Sequence, residues 1–181
     1  MRLARPFRLL LGGVVVLGAS GEARAAEAPS ELAVKAAFLP RFARYATWPP
    51  SVRPGSGAPI VLCTIGRDPF GALLEQAARS QGVDGHAIVV RRLGSAAGAR
   101  GCHMAFIGGS PQQPTGQVLA ALGGQPILTI TDARSGSRRG IIHFALVSGR
   151  VRFFIDEAAA AQRGLLISSR LLGLAVAVRA R

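Results

Sequence analysis

Apolar positions along the chain recur with two different periods. Val34, Phe38, Phe42 and Tyr45 return at helical spacing. Ser30 precedes them as a hydroxyl suited to cap a helix beginning at Glu31. Pro40 interrupts the stripe and predicts a kink or a restart, because proline inside a helix removes one backbone donor. The helix is expected to stop before Trp48-Pro49-Pro50, and residues 51–58 read as a connector of Pro, Gly and Ser. Residues 59–65 then form an apolar run, predicting a buried strand that contains Cys63. Asp68-Pro69 carries the chemistry of a helix start, an N-cap followed by proline at the first helical position. Phe70, Leu73, Leu74 and Ala77 supply that helix with one apolar face. Further strands are predicted at about 86–92, 102–107 and 126–131, with a short helix capped by Thr115 and ending at Gly123-Gly124.

The last third alternates with period two. Residues 141–147 and 151–155 flank Ser148-Gly149-Arg150 and predict a β-hairpin. In its second arm Val151, Phe153 and Ile155 face one way, while Arg152 and Phe154 face the other. A helix from about Asp156 to Gly164 follows, then a C-terminal helix over 167–178 with apolar residues at 167, 171, 174 and 178. No internal repeat is evident. The fold class is α/β: one domain with a mixed sheet of about six strands flanked by helices, a late hairpin and a C-terminal helix.

The first segment belongs to a different category. Arg2, Arg5 and Arg8 precede eleven uncharged residues, 9–19, too few to span a bilayer core of roughly 30 Å as a helix. Ala23-Arg24-Ala25 offers the small-x-small pattern of a cleavage site. Residues 1–25 therefore read as a secretory signal peptide and 26–181 as the exported domain, periplasmic in location; the competing reading is an uncleaved anchor. Removing the leader takes away four arginines and Glu22, which lowers the net charge of +13 to about +10. Lys35 is the sole lysine. The arginines are scattered rather than striped, and an exported protein meets little nucleic acid, so a basic surface facing anionic lipid or an acidic partner is the better reading. The two cysteines, Cys63 and Cys102, imply one disulfide in an oxidising compartment, with buried free thiols or a redox couple as the alternatives.

The chain carries no nucleophile elbow, phosphate loop or dinucleotide fingerprint. His86, His103 and His143 lie in or beside strands with no shared ligand spacing, and adjacent Cys102 and His103 would point to opposite faces. No metal and no cofactor is expected. Ser168-Ser169 read as packing residues in an apolar helix. Asp68 and Asp156 are most simply helix caps. Asp132, ending an apolar strand, stands either where a parallel sheet presents ligand-facing groups or as a turn-forming residue.

Several segments together resemble the YfiR family of small exported bacterial proteins. They are KAAFLPRFARYATWP at 35–49, VLCTIGRDPF at 61–70, GCHMAFI at 101–107, ILTITD at 127–132, GIIHF at 140–144, VRFFID at 151–156 and GLLISSRLLGLA at 164–175. The resemblance implies a periplasmic α/β domain, usually dimeric, and a regulator that binds the periplasmic sensor domain of a membrane diguanylate cyclase. It also implies pairing of Cys63 with Cys102 and the possibility of a docked small molecule. The chain departs from the family in lacking a second cysteine pair near 132–144 and in carrying Pro40.

The first functional expectation is accordingly a non-catalytic regulator binding a membrane signalling protein as a homodimer. The second is a periplasmic small-ligand carrier or sensor, and a hydrolase comes third. An exposed apolar patch on Trp48, Phe38 and Leu171 would favour the regulator. A pocket formed by Arg152, Phe154, Ser168 and Arg170 would favour the carrier.

Overall fold

Side chains of the central strands alternate between two hydrophobic clusters, one on each face of a single sheet. The computed structural model describes residues 29–180, so the expected leader at 1–25 lies outside them. In chain order the elements are α1 (Glu31–Phe42), β1 (Ala46–Thr47), β2 (Ile60–Gly66), α2 (Ala72–Arg79), β3 (Gly82–Val83), β4 (His86–Leu93), β5 (Met104–Gly109) and α3 (Thr115–Ala121). There follow β6 (Leu128–Asp132), β7 (Ile142–Val147), β8 (Arg150–Asp156), α4 (Glu157–Gln162), β9 (Leu166–Ile167), α5 (Ser169–Leu172) and β10 (Val178–Arg179). The main sheet has eight strands in the order β10-β8-β7-β6-β5-β2-β4-β3, and β1 pairs with β9 in a separate two-stranded sheet.

The five strands from β4 to β7 run parallel. β8 returns antiparallel as the second arm of the hairpin. The first of the parallel strands, β2, sits inside the sheet, with β4 on one side and β5, β6 and β7 on the other. The chain therefore reverses its winding between β2 and β5. Right-handed crossovers then place α2 and α3 on opposite faces. α1, α2, α4 and α5 cover the larger cluster around Leu62, Met104, Phe106, Ile130 and Phe144. α3 covers a smaller one around Cys63, Ile65, Ala105, Ile107 and Leu122. The Cys63–Cys102 disulfide lies in the smaller cluster, its Cα atoms 5.9 Å apart. Phe38 and Phe42 of α1 meet Phe144 and Phe153 with ring centroids 5.3 to 6.2 Å apart, pairs worth about 0.5–1.5 kcal/mol each beyond their burial.

All six predicted strands are present, and β3 and β10 extend the sheet at its edges. Other expectations need correction. α1 runs through Pro40 as one helix and continues into a 3₁₀ turn at Ala43–Tyr45, because proline in the last turn forfeits one backbone bond and its ring is buried. Asp68 does not cap α2. Its Oδ1 accepts the Phe70 N–H in an Asx turn, and the helix starts at Ala72 behind Gly71 at φ 51°. Thr115 is the first residue of α3 rather than its cap, and its hydroxyl donates to Ser135 O. The C-terminal helix stops at Leu172. Val176 N–H then bonds Phe153 O, and Ile155 N–H bonds Ala177 O, so the open edge of β8 captures the chain as a strand.

The anticipated apolar patch is also absent at its stated place. Trp48 and Leu171 are buried, and Phe38 packs against the core. Among the described residues the large apolar side chains that are exposed are Val52, Leu73 and Val89, Leu146 and Val147 on the hairpin, Leu166 in β9, and Leu174, Val176 and Val178 about β10.

Candidate functional site

Where the winding reverses, the loops leaving β2 and β5 diverge and leave a cleft beyond the carboxyl ends of the strands. The two strand ends touch through main chain. Gly66 adopts φ 82°, and a side-chain carbon on it would collide with Gly109 O. The Arg67 N–H donates to the same oxygen at 2.9 Å. A side-chain carbon on Gly108 would strike Arg67 O. Glycine is required here because the backbones approach more closely than any Cβ permits.

Two adjoining recesses of about 260 and 600 Å³ open over this floor. Arg67, Gly108 and Ser135 line both; Leu32, Pro69, Phe106, Asp132 and Arg134 complete the smaller. Asp132, the last residue of β6, is held twice. Its Oδ1 accepts the Arg134 N–H at 3.0 Å, and its Oδ2 meets Lys35 Nζ at 2.5 Å. Lys35, wholly buried under α1, also meets Glu31 Oε1 at 2.5 Å. Glu31 Oε2 in turn meets Arg134 Nη1 at 3.0 Å. The Lys35 hydrogen bond, then the charges of Lys35 and Arg134, hold the Glu31 carboxyl below its usual range despite partial desolvation. Both readings of Asp132 are thus realised: it shapes a turn and it lines a cleft.

Asp132 and Glu31 are neutralised by this chain of contacts, while the Arg67 guanidinium has no hydrogen bond or ion pair with the described residues. The walls at Leu32, Pro69 and Phe106 are apolar. Of the hydroxyls, Thr115 donates to Ser135 O and Ser110 Oγ accepts the Gln113 N–H. Such a cleft suits a small anion or an acidic side chain of a partner.

The sequence-nominated residues do not converge. Arg152 and Phe154 project from β8 on the face opposite the larger cluster. Ser168 caps α5, accepting the Arg170 N–H, while Leu171 of that helix packs into the larger cluster. Arg170 is exposed beside it. Trp48 is a core residue whose Nε1 donates to His103 O at 2.9 Å. His103 Nδ1 accepts the Val61 N–H, and burial pushes its pKa down. Lys35, Arg67 and Arg134, which line or brace the cleft, carry no local motif. The only signal was the position of Asp132 at a strand end.

No curated protein matches the chain. The YfiR/HmsC-like family profile matches residues 32–176, a span that takes in every element except the first residue of α1 and the whole of β10.

Proposed function

The chain belongs to the YfiR/HmsC-like family, and from that membership we propose an exported, non-catalytic regulator that binds the periplasmic domain of a membrane signalling protein, a diguanylate cyclase. The family match carries this reading and supports a role in cyclic-di-GMP signalling in general. No described helix is long and apolar enough to cross a membrane, which agrees with export behind a cleaved leader at 1–25. Arg152 and Arg170 are both exposed, and a basic surface of this kind steers encounter with an acidic domain, raising the association rate more than the affinity. The exposed apolar side chains around β10 suit a homodimer, the assembly that the resemblance implies.

Deleting the gene is expected to change the cyclic-di-GMP level and biofilm formation, and capture on the tagged protein is expected to recover a membrane protein with a periplasmic domain. An unchanged dinucleotide level with no such partner captured refutes the regulator. A second reading, a periplasmic small-ligand sensor, is favoured by one observation: the cleft lies at the carboxyl ends of parallel strands, where open α/β sheets bind ligands.

A further inference from the structure

The opposite face of the sheet carries another recess, near the β10 edge. Its floor is the cross-strand pair of His143 on β7 and Phe154 on β8. Arg139, Asp156 and β10 form its rim, around a volume of about 480 Å³. His143 is only 4 % exposed, and its surroundings determine which ring nitrogen carries the proton.

Thr131 Oγ1 accepts the Gly140 N–H at 2.9 Å and lies 2.9 Å from His143 Nδ1. Thr131 is itself fully buried, and its hydroxyl has one proton to donate. If Nδ1 were protonated, two N–H groups would share one oxygen and the hydroxyl proton would be stranded away from water. Nδ1 therefore accepts, which leaves the ring proton on Nε2. That Nε2–H has no hydrogen-bond partner among the described residues, yet it is not sealed from solvent as Thr64 Oγ1 and Arg91 Nε are. It opens into the recess as a free donor. Burial first, then Arg139, holds the His143 pKa below its usual 6.5 against the opposing effect of Asp132, so the ring is neutral near pH 7.

Arg139 supplies a second free donor group. Its guanidinium lies 4.9 Å from the centroid of the Phe154 ring. This stacking restrains the side chain while leaving its N–H groups without a hydrogen bond or ion pair to the described residues. Asp156, the one carboxylate lining the recess, is already engaged: Oδ1 accepts the Ala159 N–H and Oδ2 pairs with Arg179. The recess thus offers one uncompensated cation and a neutral N–H, beside the apolar Phe154 ring and Ala177.

We propose that this recess binds a small monoanion with an apolar body, its oxyanion held between the Arg139 guanidinium and His143 Nε2–H. The proposal is independent of the regulator reading, and the failure of either leaves the other standing.

Benzoate, with neutral benzamide as its isostere, tests the site on the oxidised protein by calorimetry and by the ¹⁵N and ring-proton resonances of His143. Saturable benzoate binding that moves the His143 resonances is expected, with benzamide at least about tenfold weaker. Arg139→Gln, at an exposed position, and His143→Gln should each weaken benzoate by a similar factor, whereas Arg67→Gln in the distant cleft should not. If His143→Gln fails to fold, Arg139→Gln and the wild-type resonances decide. Equal binding of benzoate and benzamide, unmoved His143 resonances at saturation, or undiminished binding by a folded Arg139→Gln overturns the proposal.

Discussion

Replacing Asp132 by alanine removes one anion from a lysine that has no access to water. The side chains of Lys35 and Asp132 are 1 % and 5 % exposed, so neither charge is restored to solvent when its partner is deleted. Pairs of this kind cost about 3–5 kcal/mol to break from one side, against at most about 1 kcal/mol at a surface. Glu31 remains 2.5 Å from Lys35 Nζ, but it is 22 % exposed and shared with Arg134. The expected loss for Asp132→Ala is therefore about 3 kcal/mol. Asp132→Asn keeps the Oδ1 acceptor for the Arg134 N–H and isolates the charge, and should lose about 2 kcal/mol. Lys35→Met strands Asp132 near Glu31, and should lose about 3 kcal/mol. The double variant Lys35→Met/Asp132→Asn should be more stable than the sum of the single effects predicts, with a coupling of at least about 1.5 kcal/mol. Urea unfolding of the oxidised protein at constant m-value measures all four species. Single losses below about 1 kcal/mol with an additive double would show that the buried network behaves as a surface ion pair, and the reasoning would be refuted.

Cys102→Ser is expected to lower stability by about 2–4 kcal/mol, and thiol titration of the denatured, unreduced wild type should find no free thiol, since Cys63 and Cys102 are bridged. Gly108→Ala must displace Arg67 O, so it should lower the urea midpoint by an amount worth about 1–3 kcal/mol. His143 and His103 are both held below their usual 6.5, chiefly by burial. As pH falls through about 6.5 the unfolded chain takes up protons before the folded one does, so the stability present above that pH is lost towards pH 5. His143→Gln should flatten part of that slope in a series of thermal melts, and an unchanged slope would contradict the assignment.

The long strands are legible in the sequence because an apolar run bounded by Gly, Pro and Asp has few other uses, and the hairpin because Arg152 and Phe154 alternate with Val151, Phe153 and Ile155. The two-residue strands β1, β3, β9 and β10 are too short to show a period. At the C-terminus the helical spacing of 167, 171, 174 and 178 is shared between two structures: Ile167 and Leu171 enter the core, while Leu174 and Val178 follow the free edge of β8. Tertiary pairing overrides local periodicity there. Asp68-Pro69 is ambiguous for a different reason, since an aspartate that caps a helix also closes an Asx turn. The cleft is the least legible part. Lys35 and Asp132 are 97 positions apart, and Arg67 joins them only through the order of the strands, which no local spacing encodes.

The contact of main chain with main chain between β2 and β5 divides the work of the molecule between two sets of positions. The floor of the cleft presents no side chain, so folding depends on Gly66 and Gly108 and recognition does not. In the ligand-sensor reading the specificity of the cleft resides in Arg67, Arg134 and Ser135, which line it. A change among these three alters the lining of the cleft while leaving the sheet intact, whereas a Cβ at either glycine forces the strand ends apart and lowers the stability of the sheet itself. In that reading selectivity is free to drift at nearly constant stability, because the residues that line the cleft are not the ones that close its floor.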